Sequence, residues 1–261
     1  MDLNLNGKHA VVCGSTQGIG KAAAIELAKL GARITLLSRN EQKLADTLKD
    51  LPESNDVKHG YLVADFAKPA SWGEQFRQFA AENAVDILIN NSGGPAPGPA
   101  IDAEADAYLQ AFMAHLISNQ TLVQAVVPQM KSRRWGRIVN IISTSVKMPI
   151  RGLGVSNTIR GAVANWSKTL SVELGPFGIT VNNVLPGATM TGRLEQIITR
   201  NAEKKGISFD EEKQNMVGEI PAGRIADPSE VAAAIAFLAS PAAAYINGIN
   251  VPVDGGRTGT L

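Results

Sequence analysis

Short runs of apolar residues alternate along the chain with longer segments whose apolar residues recur at helical spacing. Each run has the length of a buried strand and ends in glycine or polar residues. The seven predicted strands are Ala10–Cys13, Arg33–Leu37, Val57–Ala64, Asp86–Asn90, Gly136–Ile142, Ile179–Leu185 and Ile249–Val253. Because helical segments separate the strands, the pattern indicates right-handed βαβ units. We therefore predict a doubly wound α/β fold, a parallel sheet with helices on both faces.

The helical segments fall between these strands. They are predicted after Gly20, at Glu41–Leu51, Ala70–Glu82, Glu104–Lys131 and Ser156–Leu174, and from the capping-box pattern at Asp227-Pro228 onwards. The segment 188–222 is charged and contains no predicted strand, so we expect a pair of helices that forms a lid over the substrate. No repeat, low-complexity tract or linker interrupts residues 1–261, which predicts a single domain.

Composition and charge narrow the class of protein. A chain of 261 residues with 44% hydrophobic and 19% charged residues is typical of a globular protein. Its net charge of +1 gives no reason to expect nucleic acid or an anionic membrane as a partner. The first residues lack a signal-peptide pattern, no apolar run approaches the ~20 residues of a membrane span, and Cys13 is the one cysteine. We expect a cytoplasmic protein that acts on a small molecule.

A glycine-rich turn joins the first predicted strand to the first helix. Glycine lets the backbone turn tightly, and a helix N-terminus offers unpaired N–H groups to an anion. The turn therefore predicts a pyrophosphate-binding loop, while packing of the strand against the helix is the alternative interpretation. The residues expected at the cofactor are Gly14, Ser15, Gln17, Gly18, Ile19 and Gly20.

Polar residues follow other predicted strands at the same edge of the sheet, where parallel sheets bind ligands. After the second strand stand Ser38 and Arg39, without the acidic residue that would bind a free ribose 2′-hydroxyl. An arginine suits the 2′-phosphate of NADP, so we predict NADP. NAD is the alternative, with Arg39 as a solvated turn residue. Further residues at this edge are Asp65, Phe66, Asn91, Ser92 and Gly93.

Along essentially its whole length the chain resembles the short-chain dehydrogenase/reductase family. The motifs in order are Gly14-x-x-x-Gly18-Ile19-Gly20, Asp65, Asn90-Asn91-Ser92-Gly93, Gly136-Arg137-Ile138-Val139-Asn140, Val181-Asn182-Asn183-Val184, Pro186-Gly187, Thr191 and Val253-Asp254-Gly255-Gly256. The resemblance implies a Rossmann-like sheet of seven parallel strands, a nicotinamide dinucleotide, and a homotetramer or homodimer built through the long helices. It also implies cofactor contacts from Asp65, Asn91, Gly93, Pro186, Gly187, Thr189 and Thr191.

The catalytic positions of that family are only partly present. The resemblance implies a serine, a Tyr-x-x-x-Lys motif about a dozen residues later, and an asparagine on the long helix. Ser143 matches the serine, but Ser156 stands at the tyrosine position, Arg160 at the lysine position and His115 near the asparagine position. A phenol with a pKa of about 10 can be tuned to donate a proton near neutral pH, unlike a serine hydroxyl. Arg160 can hold the nicotinamide ribose, but it stays charged and cannot relay a proton.

Three hypotheses about function remain open. In the first, the chain is an NADP(H)-dependent oxidoreductase that interconverts a carbonyl and a secondary alcohol, on a 3-oxoacyl thioester or a small ketone. Ser143 and Ser156 then polarise the carbonyl, and His115 or water supplies the proton. In the second, the chain binds the cofactor without turnover, as a sensor or partner subunit. In the third, a different reaction uses Lys147 at the same site. No metal site is predicted.

Overall fold

Seven parallel strands form one sheet in the order β3-β2-β1-β4-β5-β6-β7. The computed structural model describes residues 1–52 and 57–260. The strands are β1 His9–Cys13, β2 Arg33–Ser38, β3 Gly60–Val63, β4 Ile87–Asn90, β5 Gly136–Ile141, β6 Ile179–Pro186 and β7 Asn250–Val253. The predicted doubly wound sheet is confirmed.

Helices cover both faces of the sheet. They are α1 Gly18–Lys29, α2 Glu41–Lys49, α3 Gly73–Glu82, α4 Ala105–Phe112, α5 Ser118–Arg133, α6 Gly154–Leu174, α7 Gly192–Lys205, α8 Phe209–Gly218 and α9 Pro228–Ala239. On one face α1 packs against α9, and on the other α3 packs against α5. Each layer buries its own apolar cluster against the sheet, with Leu27 and Ile235 in one and Phe76 and Val126 in the other. None of the described helices has the length and apolar character needed to cross a bilayer.

One predicted strand is too long, and one predicted helical region contains a π-helical turn that the sequence does not indicate. The third strand was expected over Val57–Ala64 but spans only Gly60–Val63, because the Ile34 amide donates to His59 Nδ1 at 3.0 Å instead of to a backbone carbonyl. The helical region predicted at about Glu104–Lys131 is confirmed as α4 and α5, which a π-helical turn at Met113–Ile117 joins. Such turns occur often at functional sites, and this one carries His115.

The expected pair of helices in segment 188–222 is present as α7 and α8, and the capping box at the start of α9 is also confirmed. Thr191 caps α7 by accepting the Leu194 amide, and Ser208 caps α8 by accepting the Glu211 amide. At α9, the Asp227 side chain accepts the Ser229 amide at 2.8 Å. These capping hydrogen bonds explain why Thr191, Ser208 and Asp227 stand immediately before the three helices.

A ladder of asparagine side chains crosses the sheet from β4 to β7. Asn90, Asn140, Asn183 and Asn250 occupy paired register positions on four adjacent strands. The Asn90 amide donates to Asn140 at 2.8 Å, the Asn140 amide donates to Asn183 at 3.0 Å, and the Asn183 amide donates to Asn250 at 2.8 Å. The first three residues are buried. Each side-chain amide donates to the next oxygen along the ladder, so the ladder ties the four strands together across the sheet.

Replacing Asn140 by alanine is expected to lower the free energy of unfolding by about 3 kcal/mol, because buried partners lose their hydrogen bonds. Those partners are Asn90, Asn183 and the hydroxyl of Ser167, which accepts from Asn140 at 3.1 Å. Asn250→Ala, at the exposed end of the ladder, should cost less than about 1 kcal/mol. Urea unfolding of both variants measures the difference, and equal costs would show that the buried bonds add nothing.

Candidate active site

The carboxyl edge of the sheet brings the predicted site residues to one side of the molecule. There β1 leads into the glycine loop, β2 into Arg39, β4 into Asn91, β5 into Ser143, and β6 into the segment after Pro186. Since all strands are parallel, these loops share one edge. The predicted site residues therefore lie at the carboxyl edge of the sheet, as the sequence predicts. Hydrogen bonds join several of them.

The glycine loop is held tightly against its neighbours. Gly14 and Gly18 have φ angles of +57° and +53°, where a side chain is strained. A Cβ on Gly20 would lie 2.2 Å from the Gly14 carbonyl oxygen, so the chain has no room for one. The Asn91 amide donates to the same carbonyl at 3.3 Å, and the buried Ser15 hydroxyl accepts the Leu37 amide at 3.1 Å. These contacts tie the loops after β1 and β4 together.

The residues of this edge fit a dinucleotide phosphate. Helix α1 begins at Gly18, and no side chain caps its first turn, since Gln17 makes no capping hydrogen bond. Its N–H groups and positive dipole end are therefore available to an anion. Arg39 is exposed and forms no ion pair among the described residues, so its guanidinium is available to a 2′-phosphate.

The segment after β6 packs beside the glycine loop. A Cβ on Gly18 would lie 3.0 Å from Thr191 Cγ2, which places the start of α7 directly beside the loop. Thr189 is buried and its hydroxyl donates to the Gly187 carbonyl at 3.2 Å. Asp65 keeps its carboxylate in a local turn, accepting the Ala67 amide at 3.1 Å. The segment thus lies where residues flanking a cofactor are expected.

Arg160 joins helix α6 to the end of strand β5, two residues before Ser143. Ser143 caps the turn Thr144–Val146, and its hydroxyl accepts the Ser145 amide at 3.1 Å. Arg160 is buried and donates to the Ile141 carbonyl at 2.9 Å. Ser156 lies one helical turn before Arg160 on α6, so the two side chains share a face. Within the described residues, the Ser156 hydroxyl has no hydrogen-bond partner and is free to meet a ligand.

His115 is held by a buried hydrogen bond. Its Nδ1 lies 2.6 Å from the Ser92 hydroxyl, at the start of the loop after β4. Burial, with the charge of Arg160, lowers the pKa of His115 from 6.5 to about 2. The imidazole is therefore neutral at physiological pH, so the intrinsic pKa that suggested His115 as a proton donor does not apply here. The Ser92–His115 pair can still pass a proton as a neutral relay.

The neutral state of His115 has a consequence for stability. Above pH 6.5 neither the native nor the unfolded histidine is protonated, whereas below it only the unfolded histidine gains a proton until the native pKa of about 2 is reached. Between pH 7 and pH 5 this group should therefore lower the free energy of unfolding by about 2 kcal/mol.

Urea unfolding at pH 7 and pH 5 measures that loss, with His115→Asn as the matched variant that cannot titrate. The wild-type protein should lose about 2 kcal/mol more than the variant over this interval. Equal losses in the two proteins would contradict a neutral, buried His115. The buried His9, whose pKa is also lowered by burial, to about 4, contributes equally to both proteins.

Sequence reasoning missed Arg193 entirely. This residue lies in the first turn of α7 and donates to the Pro95 carbonyl at 2.6 Å, so it joins the predicted lid to the loop Pro95–Pro99 after β4. Farther along the same helix, Arg200 donates to the Pro97 carbonyl at 3.3 Å. No motif in the sequence indicates these contacts, because they join residues about 100 positions apart.

A cavity of about 740 Å³ lies at the opposite, amino edge of the sheet. Its lining includes His9, Arg33, Asp86 and Arg133, and none of the predicted site residues. Four of its polar groups already contact one another, since Arg133 lies 3.4 Å from the Asp86 carboxylate and Arg33 lies 2.8 Å from His9 Nδ1. The chemistry of the carboxyl edge therefore identifies the candidate site, and the size of this cavity does not.

A doubly wound parallel sheet with a glycine loop at its carboxyl edge defines a Rossmann-like protein. Residues 14–258 match the family model described as Enoyl-(Acyl carrier protein) reductase. The chain belongs to the short-chain dehydrogenase/reductase family.

Curated relatives match over nearly the full length of both chains. The NADPH-dependent reductase BacG of Bacillus subtilis is 30% identical over 257 residues, covering 97% of this chain and 98% of the relative. The 3-oxoacyl-[acyl-carrier-protein] reductase FabG of Pseudomonas aeruginosa is 31% identical over 260 residues, with 97% and 98% covered. Among solved structures, L-sorbose reductase from Gluconobacter frateurii, complexed with NADPH and L-sorbose, superposes with a TM-score of 0.93 at 29% identity, covering 100% of each chain.

Proposed function

We propose that this protein is an NADP(H)-dependent oxidoreductase that interconverts a carbonyl and a secondary alcohol. The observation that carries the proposal is that one edge of the sheet holds both the glycine loop, with the uncapped N-terminus of α1, and the buried Arg160, which donates to Ile141 two residues before Ser143. Relatives named as NADPH-dependent reductases and 3-oxoacyl reductases support the same reaction class. A 3-oxoacyl thioester or another small carbonyl compound is the proposed substrate class.

The cofactor would be held along the carboxyl edge. The uncapped N-terminus of α1 suits the pyrophosphate, and Arg39 suits the 2′-phosphate. The proposed contacts further along the edge are Ser15, Gln17, Ile19, Ser38, Asp65, Phe66, Asn91, Ser92, Gly93, Pro186, Gly187, Thr189 and Thr191. When bound, NADPH supplies the hydride that reaches the carbonyl carbon.

The side chains at the reacting end would stabilise charge and direct a proton. As the carbonyl carbon gains a hydride, its oxygen becomes negative, and the hydroxyls of Ser143 and Ser156 can donate to it. Arg160 adds positive charge close by and can hold the ribose hydroxyls. The oxygen would take its proton from solvent water, for which the Ser92–His115 pair offers a neutral route.

A second candidate function is cofactor binding without turnover. The observation that favours it is that Ser156 and Arg160 replace the tyrosine and lysine, while burial and the charge of Arg160 lower the pKa of His115 to about 2. NADPH titration followed by a substrate panel of ketones, sugars and 3-oxoacyl thioesters separates the two. Turnover on any substrate supports the oxidoreductase, and tight binding without turnover supports the sensor or partner subunit.

Arg39 is expected to select NADPH over NADH. Arg39→Gln should raise the Kd for NADPH about tenfold, the effect of losing a charge-assisted contact, and leave the Kd for NADH within about twofold. Fluorescence titration measures both constants. Lys49→Gln, at the far end of α2, is the control for a general loss of positive charge. A preference of the unmodified protein for NADH would remove the role given to Arg39.

We further propose that residues 1–261 form a single domain, in which α7 and α8 act as the substrate lid. Two described contacts support the lid, because Arg193 and Arg200 both join α7 to the loop at Pro95 and Pro97. We also propose a homodimer or homotetramer built through the long helices. The exposed apolar side chains of Leu109, Phe112 and Met113 around the π-helical turn support it, and sedimentation analysis tests it.

A further inference from the structure

Among the residues that the structure describes, Arg160 is a buried cation without a counter-ion. The residue is 9% exposed, and the one hydrogen bond that it makes there, to the Ile141 carbonyl, uses only part of the guanidinium's donor capacity. Within the described residues, no carboxylate forms an ion pair with it. Burying a charge without a partner is costly, so such an arrangement is typical of a site that awaits an anion.

Arg193 adds a second positive charge to the same site. It is half-buried in the first turn of α7, and its hydrogen bond to Pro95 O fixes its guanidinium beside the loop that follows β4. A Cβ on Gly94 would lie 3.9 Å from Arg193 Nη2, so the guanidinium packs against the loop whose Ser92 contacts His115. Burial, with the charge of Arg193, lowers the pKa of Arg160 to about 10. Arg193 also lacks an ion pair among the described residues. The neutral His115 adds no charge of its own.

We infer that Arg193, reinforced by Arg160, binds a carboxylate of the substrate, so that the protein acts on an oxo acid rather than on a neutral ketone. This inference rests on the proposed oxidoreductase function and specifies its substrate class. A carboxylate offers two acceptor oxygens to the planar donors of a guanidinium and neutralises positive charge. The cofactor does not supply the anion that Arg193 and Arg160 lack. Its phosphates are assigned to the α1 N-terminus and Arg39, and its ribose hydroxyls are neutral.

Unreactive carbonyl analogues test the inference by binding alone. Oxamate, malonamate and succinamate reproduce a 2-, 3- and 4-oxo acid, and oxamide, malonamide and succinamide are their neutral counterparts. Each is titrated calorimetrically into the NADP⁺-loaded protein. At least one carboxylate should bind about tenfold more tightly than its diamide, the size of a charge-assisted contact. Equal binding in all three pairs would overturn the inference.

Variants of α7 separate anion binding from simple tethering of the helix. Arg193→Gln removes the charge but keeps a donor for Pro95, and it should reduce the carboxylate preference to about twofold or less. Arg193→Lys should keep most of that preference. Arg200→Gln is the matched control, because Arg200 tethers the same helix to Pro97, and it should leave the preference unchanged.

Equal losses of the carboxylate preference in Arg193→Gln and Arg200→Gln would overturn the inference, since Arg193 would then act only as a tether. NADP⁺ binding without any carboxylate preference likewise rejects the oxo-acid substrate while leaving the proposed oxidoreductase intact. Failure of the protein to bind NADP⁺ at all rejects the proposed function, and the inference with it. The two failures are therefore distinguished in a single series of titrations.

Discussion

Replacing Arg160 by leucine is expected to lower kcat/KM for NADPH-dependent carbonyl reduction about 1000-fold. The guanidinium is buried and donates to the Ile141 carbonyl at the end of β5. There it is proposed to stabilise negative charge on the reacting oxygen and to hold the cofactor ribose. Leucine removes both interactions but fills much of the same space. Steady-state kinetics measures the loss, and urea unfolding of the variant reports whether the fold is retained.

A lysine variant separates the effect of the positive charge of Arg160 from that of its planar guanidinium. Arg160→Lys keeps a positive charge, so it should retain kcat/KM to within about tenfold of the unmodified protein. Nearly full activity in a folded Arg160→Leu protein would contradict the role assigned to this residue. Equal losses in both variants would instead show that the guanidinium's hydrogen bonds, rather than its charge, matter.

Replacing Gly20 by alanine is expected to raise the Kd for NADPH at least about 100-fold and to lower the free energy of unfolding by about 3 kcal/mol. The added Cβ would lie 2.2 Å from the Gly14 carbonyl oxygen and 2.7 Å from the Asn91 amide nitrogen. Because the first contact is with backbone, the glycine loop must move. The movement displaces the N–H groups that are proposed to bind the pyrophosphate.

Gly161→Ala is the matched control for that variant. Gly161 also lies within a helix, α6, but a Cβ there meets nothing within 4 Å. Alanine should therefore stabilise the helix by up to about 1 kcal/mol and leave NADPH affinity unchanged. If Gly20→Ala behaves like Gly161→Ala in fluorescence titration and urea unfolding, the close approach at Gly20 has no importance for the cofactor.

The sequence predicts the sheet and the cofactor edge well, because both depend on local patterns. Continuous apolar runs such as Ala10–Cys13 become buried parallel strands, and the polar residues that end them fall at one edge. The glycine loop and the Asp227 capping box are likewise local, so each is visible in a few consecutive residues. The length of β3 shows the largest departure from this pattern, since the distant amide of Ile34 takes a side chain, His59, as its partner.

The electrostatics of the catalytic region is not predictable in the same way. The pKa of His115 depends on burial and on Arg160, which is 45 positions away in the chain, and neither is encoded locally. The π-helical turn that places His115 leaves the apolar pattern of the helix unchanged. The pairing of Arg193 with Pro95 O and its charge effect on Arg160 exist only in the folded protein. The sequence therefore indicates what is bound more reliably than how the proton moves.

Transfer of deuterium from NADPH labelled at the reactive C4 position tests the proposed oxidoreductase most directly. The labelled cofactor is incubated with the protein and with panels of oxo acids, ketones and 3-oxoacyl thioesters, and the products are analysed by mass spectrometry. We predict an alcohol carrying one deuterium on the former carbonyl carbon, with the oxo acids as the preferred substrates. NADPH that binds tightly but transfers no deuterium to any member of the three panels would contradict the proposed function.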